Sequence, residues 1–328
     1  MVDFLLPPVS GWNEWRELFT DEAVWRPVVT RLWAREPGLA ARTGVAAPES
    51  VVSGFPGTCA VFIVNDAIVV KFFPPMVADD WRRERAVYGL LTGRVPEMPR
   101  LLASGYYHDR IAWPYLVTSF LPGAAWRDAR MVVSAAERLA IGRLLGERLR
   151  QVHDVPVPLN PDWPPDTWPR LVTERLEAAP AELLASSALP ESVVAAALAL
   201  LRDTDWFAGP PRLLHGDLTE DHILVSRADG RWTMTGLIDW ADAEVADPAY
   251  EWAALYFGFC GREALLFRAV QDGYGPAARP PPPRRLLAGT LLHRFGARII
   301  ADALPESVRR GLRGLDELEG ALFAGYDG

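Results

Sequence analysis

Two short acidic motifs in the second half of the sequence have the residue types for chemistry on phosphate groups. The first reads HGD at 215–217, and the second reads IDW at 238–240. An apolar run typical of a β-strand lies beside each motif, at 223–225 and at 235–238. Strands of this kind would hold each carboxylate in place. Two rigid carboxylates are suited to phosphoryl transfer, in which one group accepts or orients a hydroxyl proton and another holds a metal ion.

The positions of Asp217, His222 and Asp239 along the sequence match the general arrangement of a kinase site. There, a catalytic aspartate is followed five residues later by a metal ligand and, after a further strand, by a metal-binding aspartate. Asp217, His222 and Asp239 occupy these three positions. We therefore predict that Asp217 is the catalytic base and that His222 and Asp239 hold Mg²⁺ or Mn²⁺.

The segment around these residues resembles the aminoglycoside phosphotransferase family of kinase-like enzymes. The loop of that family reads HGDLHxxNIL and its metal segment reads IDxxxxxxGDPxxD, whereas this sequence reads HGDLTEDHIL and IDWADAEVADPAYE. The departures are Thr219, His222, Ala246 and Glu251. The resemblance covers about residues 50–260 by motif. A weaker similarity in the flanks is nearest to the hygromycin-B phosphotransferases.

The resemblance implies an α+β fold with the two lobes of a protein kinase. A small N-terminal lobe, residues 1–118, would contain an antiparallel sheet and extra N-terminal helices and would bind ATP or GTP. A larger and mainly helical C-terminal lobe, residues 119–328, would carry the catalytic residues and bind the acceptor. The implied acceptor is a hydroxyl of an aminoglycoside or another natural-product antibiotic, so the enzyme would confer resistance.

Lys71 is the single lysine of the sequence, and the remaining 33 of its 34 basic residues are arginine. A compact ammonium fits between phosphate oxygens in a way that the planar guanidinium does not, so a lysine kept against this bias indicates a specific role. Lys71 ends a strand-like run, and a predicted helix over 78–91 places Glu84 where it can pair with Lys71. We predict that Lys71 binds the nucleotide phosphates and that Glu84 positions it.

Residues 51–73 predict a meander of three strands joined by turns. Gly54 and Gly57 in the first turn would let the backbone approach a phosphate closely, and Thr58 adds a hydroxyl there. An ordinary glycine turn is an equally good interpretation. By the resemblance, Ser119 and Leu121 belong to the connector between the lobes, where their backbone groups would meet the adenine edge.

The remaining pattern is mostly helical. Tryptophans and leucines at helical spacing predict N-terminal helices that Ser10 and Thr20 would cap. Residues 132–155 predict a core helix that ends near His153, which is predicted to be a cation at the helix terminus or a surface residue rather than a ligand. His215 is predicted to support the loop by hydrogen bonding and to do no chemistry.

Further helices are predicted after the acidic motifs. Asp247 would cap the first of them and, with Glu251, would brace the metal segment. Two closing helices are predicted over 285–303 and 306–323, with His293 on a solvated or substrate-facing surface.

Composition excludes several classes of protein. The formal net charge of −8 and the absence of any long basic run argue against a nucleic-acid partner. Two cysteines far apart in sequence give neither a disulfide framework nor metal-ligand spacing. The N-terminus lacks the features of a signal peptide, and no apolar run approaches the roughly 20 residues that cross a bilayer. We expect a cytoplasmic protein without a membrane partner.

Two alternatives remain open. HGDLTEDH at 215–222 packs two histidines and two aspartates into eight residues, a composition also found in zinc hydrolases. Such sites recruit more histidines from distant segments, and the other three histidines do not cluster in the sequence. The second alternative is a kinase-like binding protein without catalysis, which His222 in the place of the usual asparagine suggests.

Overall fold

The computed structural model of the protein describes residues 4–55, 57–158, 163–164, 166–186, 189–275 and 281–326. The chain divides into two compact units, Met1–Pro122 and Gly123–Gly328. The predicted functional boundary at residue 118 stays a prediction.

The first unit begins with three helices, α1 (Trp12–Leu18), α2 (Glu22–Arg35) and α3 (Leu39–Thr43). Asp21 caps α2, because its carboxylate accepts the backbone N–H groups of Ala23 and Val24. The predicted caps Ser10 and Thr20 were each wrong by one residue. The residue before α1 is Gly11, and the side chain that reaches the free N–H groups of α2 is the aspartate after Thr20.

A five-stranded antiparallel sheet follows these helices. Its strands are β1 (Val51–Ser53), β2 (Ala60–Val64), β3 (Ile68–Phe72), β4 (Leu101–His108) and β5 (Ala112–Ser119), in the order β1-β2-β3-β5-β4. A 3₁₀ turn (Pro75–Val77) and α4 (Ala78–Leu91) connect β3 to β4. The predicted meander and the predicted helix over 78–91 are confirmed.

The alternation of side chains along β3 separates two environments. Phe72 lies in the aromatic core of the first unit, 4.8 Å from the ring of Trp25 on α2. Its neighbour Lys71 points to the opposite face, where it meets Glu84 of α4. One face of the sheet is therefore covered by the N-terminal helices, and the other presents the single lysine.

The second unit is mainly helical and contains two small sheets. Its strands are β6 (Ala124–Ala125), β7 (Arg212–Leu214), β8 (Ile223–Ala228), β9 (Arg231–Leu237) and β10 (Glu244–Ala246), paired in the orders β6-β8-β9 and β10-β7. Its helices are α5 (Trp126–Ala129), α6 (Ala135–His153), α7 (Thr167–Ser186), α8 (Glu191–Asp203), α9 (Pro248–Phe257), α10 (Ala264–Tyr274), α11 (Pro283–Leu292), α12 (Gly296–Ala303), α13 (Glu306–Gly311) and α14 (Leu315–Leu322). The predicted α+β class, with an antiparallel sheet followed by helices, is confirmed.

Both closing helices are interrupted where one continuous helix was predicted in each case. The first breaks between α11 and α12, where the ring of His293 is bonded to the carbonyl of Gly216 and to the N–H of Phe295. The second breaks between Gly311 and Gly314, because glycine has low helix propensity. His153 and His293 are each 1% exposed, so neither lies on the surface. His153 lies in the last turn of α6, as one of its two predicted alternatives had it, whereas the predicted surface position of His293 was wrong.

Asp247 caps α9 through the N–H of Ala249, as predicted. Within the described residues, no helix combines the length and the apolar character that a bilayer crossing requires.

Candidate active site

Lys71 and Glu84 form an ion pair in the first unit. Nζ of Lys71 lies 2.7 Å from Oε2 of Glu84. The hydroxyl of Tyr88, one helical turn later, donates to Oε1 of the same carboxylate at 3.2 Å. Glu84 is buried, and both oxygens of its carboxylate are hydrogen-bonded. The carboxylate is therefore held in place and fixes the position of Lys71. The predicted pair is present, and its role toward nucleotide phosphates stays a prediction.

The glycine-containing segment connects β1 to β2. The N–H of Gly54 donates to the carbonyl of Val61 at 2.8 Å, and a β-carbon at Gly54 would lie 2.9 Å from Cγ1 of Val61. Among the described residues other than Gly57 and its chain neighbours, no heavy atom lies within 4 Å of the place that a β-carbon would take at Gly57. Thr58 ends the segment, and its carbonyl accepts the indole N–H of Trp15 at 2.7 Å. Phosphate binding by this segment stays a prediction.

Ser119 ends β5, and its backbone is already used within the sheet. Its N–H donates to the carbonyl of Arg100 at 2.9 Å, and its hydroxyl accepts the N–H of Arg100. Leu121 follows two residues later, beyond the end of the strand. Contact of these backbone groups with an adenine stays a prediction, in which the N–H of Ser119 takes no part.

Asp217 lies in the loop between β7 and β8 of the second unit. The preceding Gly216 has φ of 81°, and a β-carbon there would overlap the carbonyl of Asp242, so this turn requires glycine. Burial raises the pKa of Asp217 to about 6. The nearby His222 opposes that rise, and the carboxylates of Asp242 and Asp239 add to it. Asp217 is a stronger base than an ordinary carboxylate.

His215 supports this loop, as predicted. Its Nε2–H donates to the carbonyl of Ile238 at 2.9 Å, and its Nδ1 accepts the N–H of Asp217 at 3.4 Å. Trp240 packs against the ring at 4.5 Å. Burial, with the nearby His222 ring, lowers the pKa of His215, so the ring is neutral and links the two acidic motifs.

Glu251 braces the loop that carries Asp217, whereas the sequence predicted that it braces the segment around Asp239. Its fully buried carboxylate accepts the N–H of His215 at 2.6 Å and the N–H of Gly216 at 3.3 Å. Burial raises the pKa of Glu251, but the nearby His153 and the contacts with His215 outweigh burial, so the pKa is lowered. Glu251 is therefore ionised within the core.

Two further histidines lie at this loop: His153 lies beside Glu251, and His293 bonds to the backbone of Gly216. Nε2 of His153 lies 3.7 Å from Oε2 of Glu251, and Nδ1 of His153 lies 2.9 Å from the hydroxyl of Tyr274. Nε2–H of His293 donates to the carbonyl of Gly216 at 3.1 Å. His153 was predicted as a helix-terminus cation or a surface residue, and His293 as a surface residue. The sequence contains no sign of the distant groups that surround them.

His222 lies beside both aspartates. Its Nδ1 is 2.6 Å from the backbone carbonyl of Asp217, and its Nε2 is 3.8 Å from Oδ2 of Asp239. A carbonyl oxygen only accepts, so Nδ1 carries the proton and the lone pair of a neutral ring lies on Nε2. Asp239 has φ of 62°, a left-handed conformation that is uncommon outside glycine and that clusters at functional sites.

The donors of His222 and Asp239 fit a divalent cation only in part. Among the described residues, no group of three or more His, Cys, Asp or Glu side chains could hold a metal ion. An ion at these two side chains would therefore need oxygens from a phosphate or from water. The carboxylate suits Mg²⁺, whereas the imidazole nitrogen suits Mn²⁺ better.

Asp242 and Arg294 also influence Asp217, and sequence reasoning did not identify them. Arg294 forms an ion pair with Asp242, and the charges of both affect the pKa of Asp217. Asp242 follows the IDW motif, three residues after Asp239. This proximity is the one feature of the sequence that could have identified it.

Several known proteins are similar to this chain in sequence or in fold. A profile described as "Phosphotransferase enzyme family" matches residues 58–287, more than half of the chain. "Uncharacterized protein YcbJ" of Bacillus subtilis (strain 168) is 46% identical over 73 residues, 22% of this chain and 23% of that protein. Viomycin phosphotransferase of Streptomyces vinaceus is 29% identical over 180 residues, 53% of this chain and 60% of that protein. Each match spans less than two thirds of the relative.

A solved structure has a similar fold along nearly its whole length. It is the GDP complex of a wild-type aminoglycoside 2′-phosphotransferase-IIIa, with a TM-score of 0.61 and 19% identity. The similarity covers 88% of this chain and 95% of that chain. The predicted kinase-like fold is confirmed, and the nearer relation to hygromycin-B phosphotransferases stays a prediction.

Proposed function

This chain belongs to the phosphotransferase enzyme family, and from that premise we propose that it transfers the γ-phosphate of a nucleoside triphosphate to a hydroxyl of a small-molecule antibiotic. The acceptor would be an aminoglycoside or another natural product, and its phosphorylation would confer resistance. The proposed location is the cytoplasm, where nucleoside triphosphates are available.

The environment of Asp217 is the observation that carries this proposal. Its side chain is about one-fifth exposed, on a loop whose backbone is bonded to buried groups. With a pKa of about 6, the carboxylate is mostly ionised at neutral pH and takes up a proton more readily than an ordinary aspartate. A positioned base of this kind is what an acceptor hydroxyl needs.

The proposed transfer is a single displacement at the γ-phosphorus. The acceptor hydroxyl gives its proton to the carboxylate of Asp217, and its oxygen forms a bond to the γ-phosphorus. The bond from that phosphorus to the β–γ bridging oxygen breaks, and a nucleoside diphosphate leaves. His215, Glu251 and His293 would keep Asp217 in position during this step.

Each candidate phosphate-binding group has its own proposed role. Lys71, held by Glu84, would bind phosphate oxygens of the nucleotide, with the backbone of Gly54, Gly57 and Thr58 as a further contact. Asp239 and Nε2 of His222 would hold Mg²⁺ or Mn²⁺ together with phosphate oxygens. When bound, such an ion neutralises charge on the β- and γ-phosphates.

The surroundings of Asp217 favour a cationic acceptor. Asp239 and Asp242 add negative charge near the base, and the chain as a whole carries a net charge of −8. The similarity to a protein named viomycin phosphotransferase and the fold shared with an aminoglycoside phosphotransferase support an antibiotic in this role. The GDP bound in that structure supports testing GTP beside ATP.

A phosphorylation screen tests the proposal. Purified protein is incubated with ATP or GTP, Mg²⁺ or Mn²⁺, and a panel of hydroxyl-bearing antibiotics that includes aminoglycosides and cyclic peptides. Mass spectrometry should detect one added phosphate on at least one antibiotic, and Asp217→Asn should abolish that product. Nucleotide binding without any phosphorylated product would favour the second candidate, a kinase-like binding protein, which His222 in place of asparagine suggests.

A further inference from the structure

Two N-terminal helices contact both ends of the segment that connects β1 to β2. At the end of the segment, Nε1–H of Trp15 on α1 donates to the carbonyl of Thr58 at 2.7 Å. At its start, Oε1 of Glu22 on α2 accepts the N–H of Ser53 at 2.7 Å. Arg26, one turn later on α2, donates to the carbonyl of Val51 at 3.1 Å. Side chains from the two helices therefore bracket the Gly54–Thr58 segment.

Trp15 is anchored on its other sides. It is 1% exposed, and its ring stacks on Trp113 of β5 at 5.8 Å and meets Trp25 of α2 edge-on at 6.1 Å. A side chain packed in this way does not change rotamer freely. Its N–H is therefore a fixed donor, and the carbonyl of Thr58 takes its position from the helices.

Two described residues within the segment, Phe55 and Gly57, are less enclosed. Phe55 is 49% exposed, and no heavy atom of the described residues beyond the chain neighbours of Gly57 lies within 4 Å of the place of a β-carbon there. Glycine also allows more backbone conformations than any other residue. A segment of this composition needs support at its ends if its N–H groups are to meet a phosphate without a large loss of entropy on binding.

We infer that α1 and α2 are positioning elements for the Gly54–Thr58 segment and thereby set the affinity for the nucleotide. This inference rests on the proposed function for its second half. Trp15 acts through the carbonyl of Thr58, and Glu22 acts through the N–H of Ser53. Both lie before residue 58, where the match to the phosphotransferase family begins, so family membership does not assign them this role.

Trp15→Phe is the central variant, because it keeps an aromatic ring and removes the N–H donor. Trp33→Phe is its matched control. Nε1 of Trp33 donates to the carbonyl of Val45 at 2.9 Å in a buried bond of the same kind that does not touch the segment. Glu22→Leu removes the acceptor at the other end, and Glu22→Gln restores an acceptor oxygen.

Two measurements are made on the full-length variants. Hydrogen–deuterium exchange of the peptide over 52–62, without nucleotide, should become faster in Trp15→Phe and Glu22→Leu and stay unchanged in Trp33→Phe. The KM for nucleotide should rise roughly fivefold in the first two variants with little change in kcat, as expected for one lost hydrogen bond. Glu22→Gln should restore most of the affinity.

The outcomes separate the inference from the proposed function. Equal exchange and equal nucleotide KM in Trp15→Phe and Trp33→Phe would overturn the inference while leaving the function intact. Faster exchange without a change in KM would overturn its second half. A wild-type protein that neither binds nucleotide nor phosphorylates any acceptor removes the proposed function and the affinity claim with it, while exchange still decides whether the helices position the segment.

Discussion

Lys71 in the first unit and Asp217 in the second, the two charged groups with the main roles in the proposal, are held in different ways. Lys71 lies within a strand, and its partner Glu84 follows 13 residues later on the next helix. Asp217 lies on a loop whose backbone is bonded to Glu251, 36 residues from His215, and to His293, 77 residues from Gly216. The lysine is placed by regular neighbouring elements, and the aspartate by buried polar groups from distant helices.

This difference determines which substitutions matter. A strand and a helix that pack on each other tolerate change elsewhere in the chain, because their own hydrogen bonds persist. A loop with a glycine in the left-handed region keeps its shape only while its outside partners remain. We therefore expect substitutions of remote buried residues to disturb the position of Asp217. Only substitutions of neighbouring residues should disturb the position of Lys71.

The largest expected effect is at the aspartate itself. Asp217→Asn should fold and bind nucleotide with near-native affinity, yet lose turnover by roughly 10²- to 10⁴-fold, the usual contribution of a positioned base. Steady-state kinetics and nucleotide titration measure the two properties separately. Near-native turnover in this variant would show that another group accepts the proton.

Glu251→Leu tests the remote support of the loop. Two buried N–H groups would lose their acceptor, at roughly 1–3 kcal/mol each, so the free energy of unfolding should fall by about 2–6 kcal/mol. Turnover of the folded fraction should fall as well. The control is Glu182→Gln, which weakens a partly exposed pair with Arg175 and should cost about 1 kcal/mol or less. Native stability and turnover in Glu251→Leu would show that the loop holds its shape unaided.

His293 should make stability depend on pH. Burial lowers its pKa from 6.5 to about 4. Below about pH 6.5, the unfolded chain binds a proton that the folded protein does not, so stability present at pH 7 is lost as the pH falls toward 4. The loss between pH 7 and pH 5 should be about 2 kcal/mol. Urea denaturation should show that His293→Gln lacks this part of the slope, whereas His108→Gln, at an exposed position, keeps it.

Lys71→Arg tests the locally held group. The charge is kept, but the planar fork is larger and its donors point differently, so the KM for nucleotide should rise on the order of tenfold with folding intact. Arg82→Lys, an exchange in the opposite sense on the exposed face of α4, is the control and should have no effect. Unchanged nucleotide kinetics in Lys71→Arg would remove the argument from the single lysine.

The smallest effect is expected at His222, which joins the two acidic motifs. His222→Asn replaces the ring nitrogen with an amide oxygen donor, so activation by Mg²⁺ should improve a few-fold relative to Mn²⁺. Titrations with each ion at fixed nucleotide concentration measure the ratio. A constant ratio would show that His222 is not a metal ligand and acts only through the carbonyl of Asp217.

The sequence by itself determined the elements around Lys71 and the order of the acidic motifs. Apolar runs separated by turn residues predicted the strands that lead to the lysine. A helix over 78–91, with Glu84 placed to pair with Lys71, was predicted after them. These patterns are local, so they are readable in a single chain. The spacing of Asp217, His222 and Asp239 was likewise readable, because one hairpin separates the last two.

Only the tertiary structure decided which side chains support the loop that carries Asp217. Glu251, His153 and His293 lie in or at the end of helices far apart in sequence. Burial of a polar side chain has no local signature when its partner is a backbone N–H or carbonyl. For the same reason, the bond from Trp15 to Thr58 was not predictable. The spacing of Trp15 indicated a packed helix, whereas the acceptor of its N–H depends on how that helix lies against the sheet.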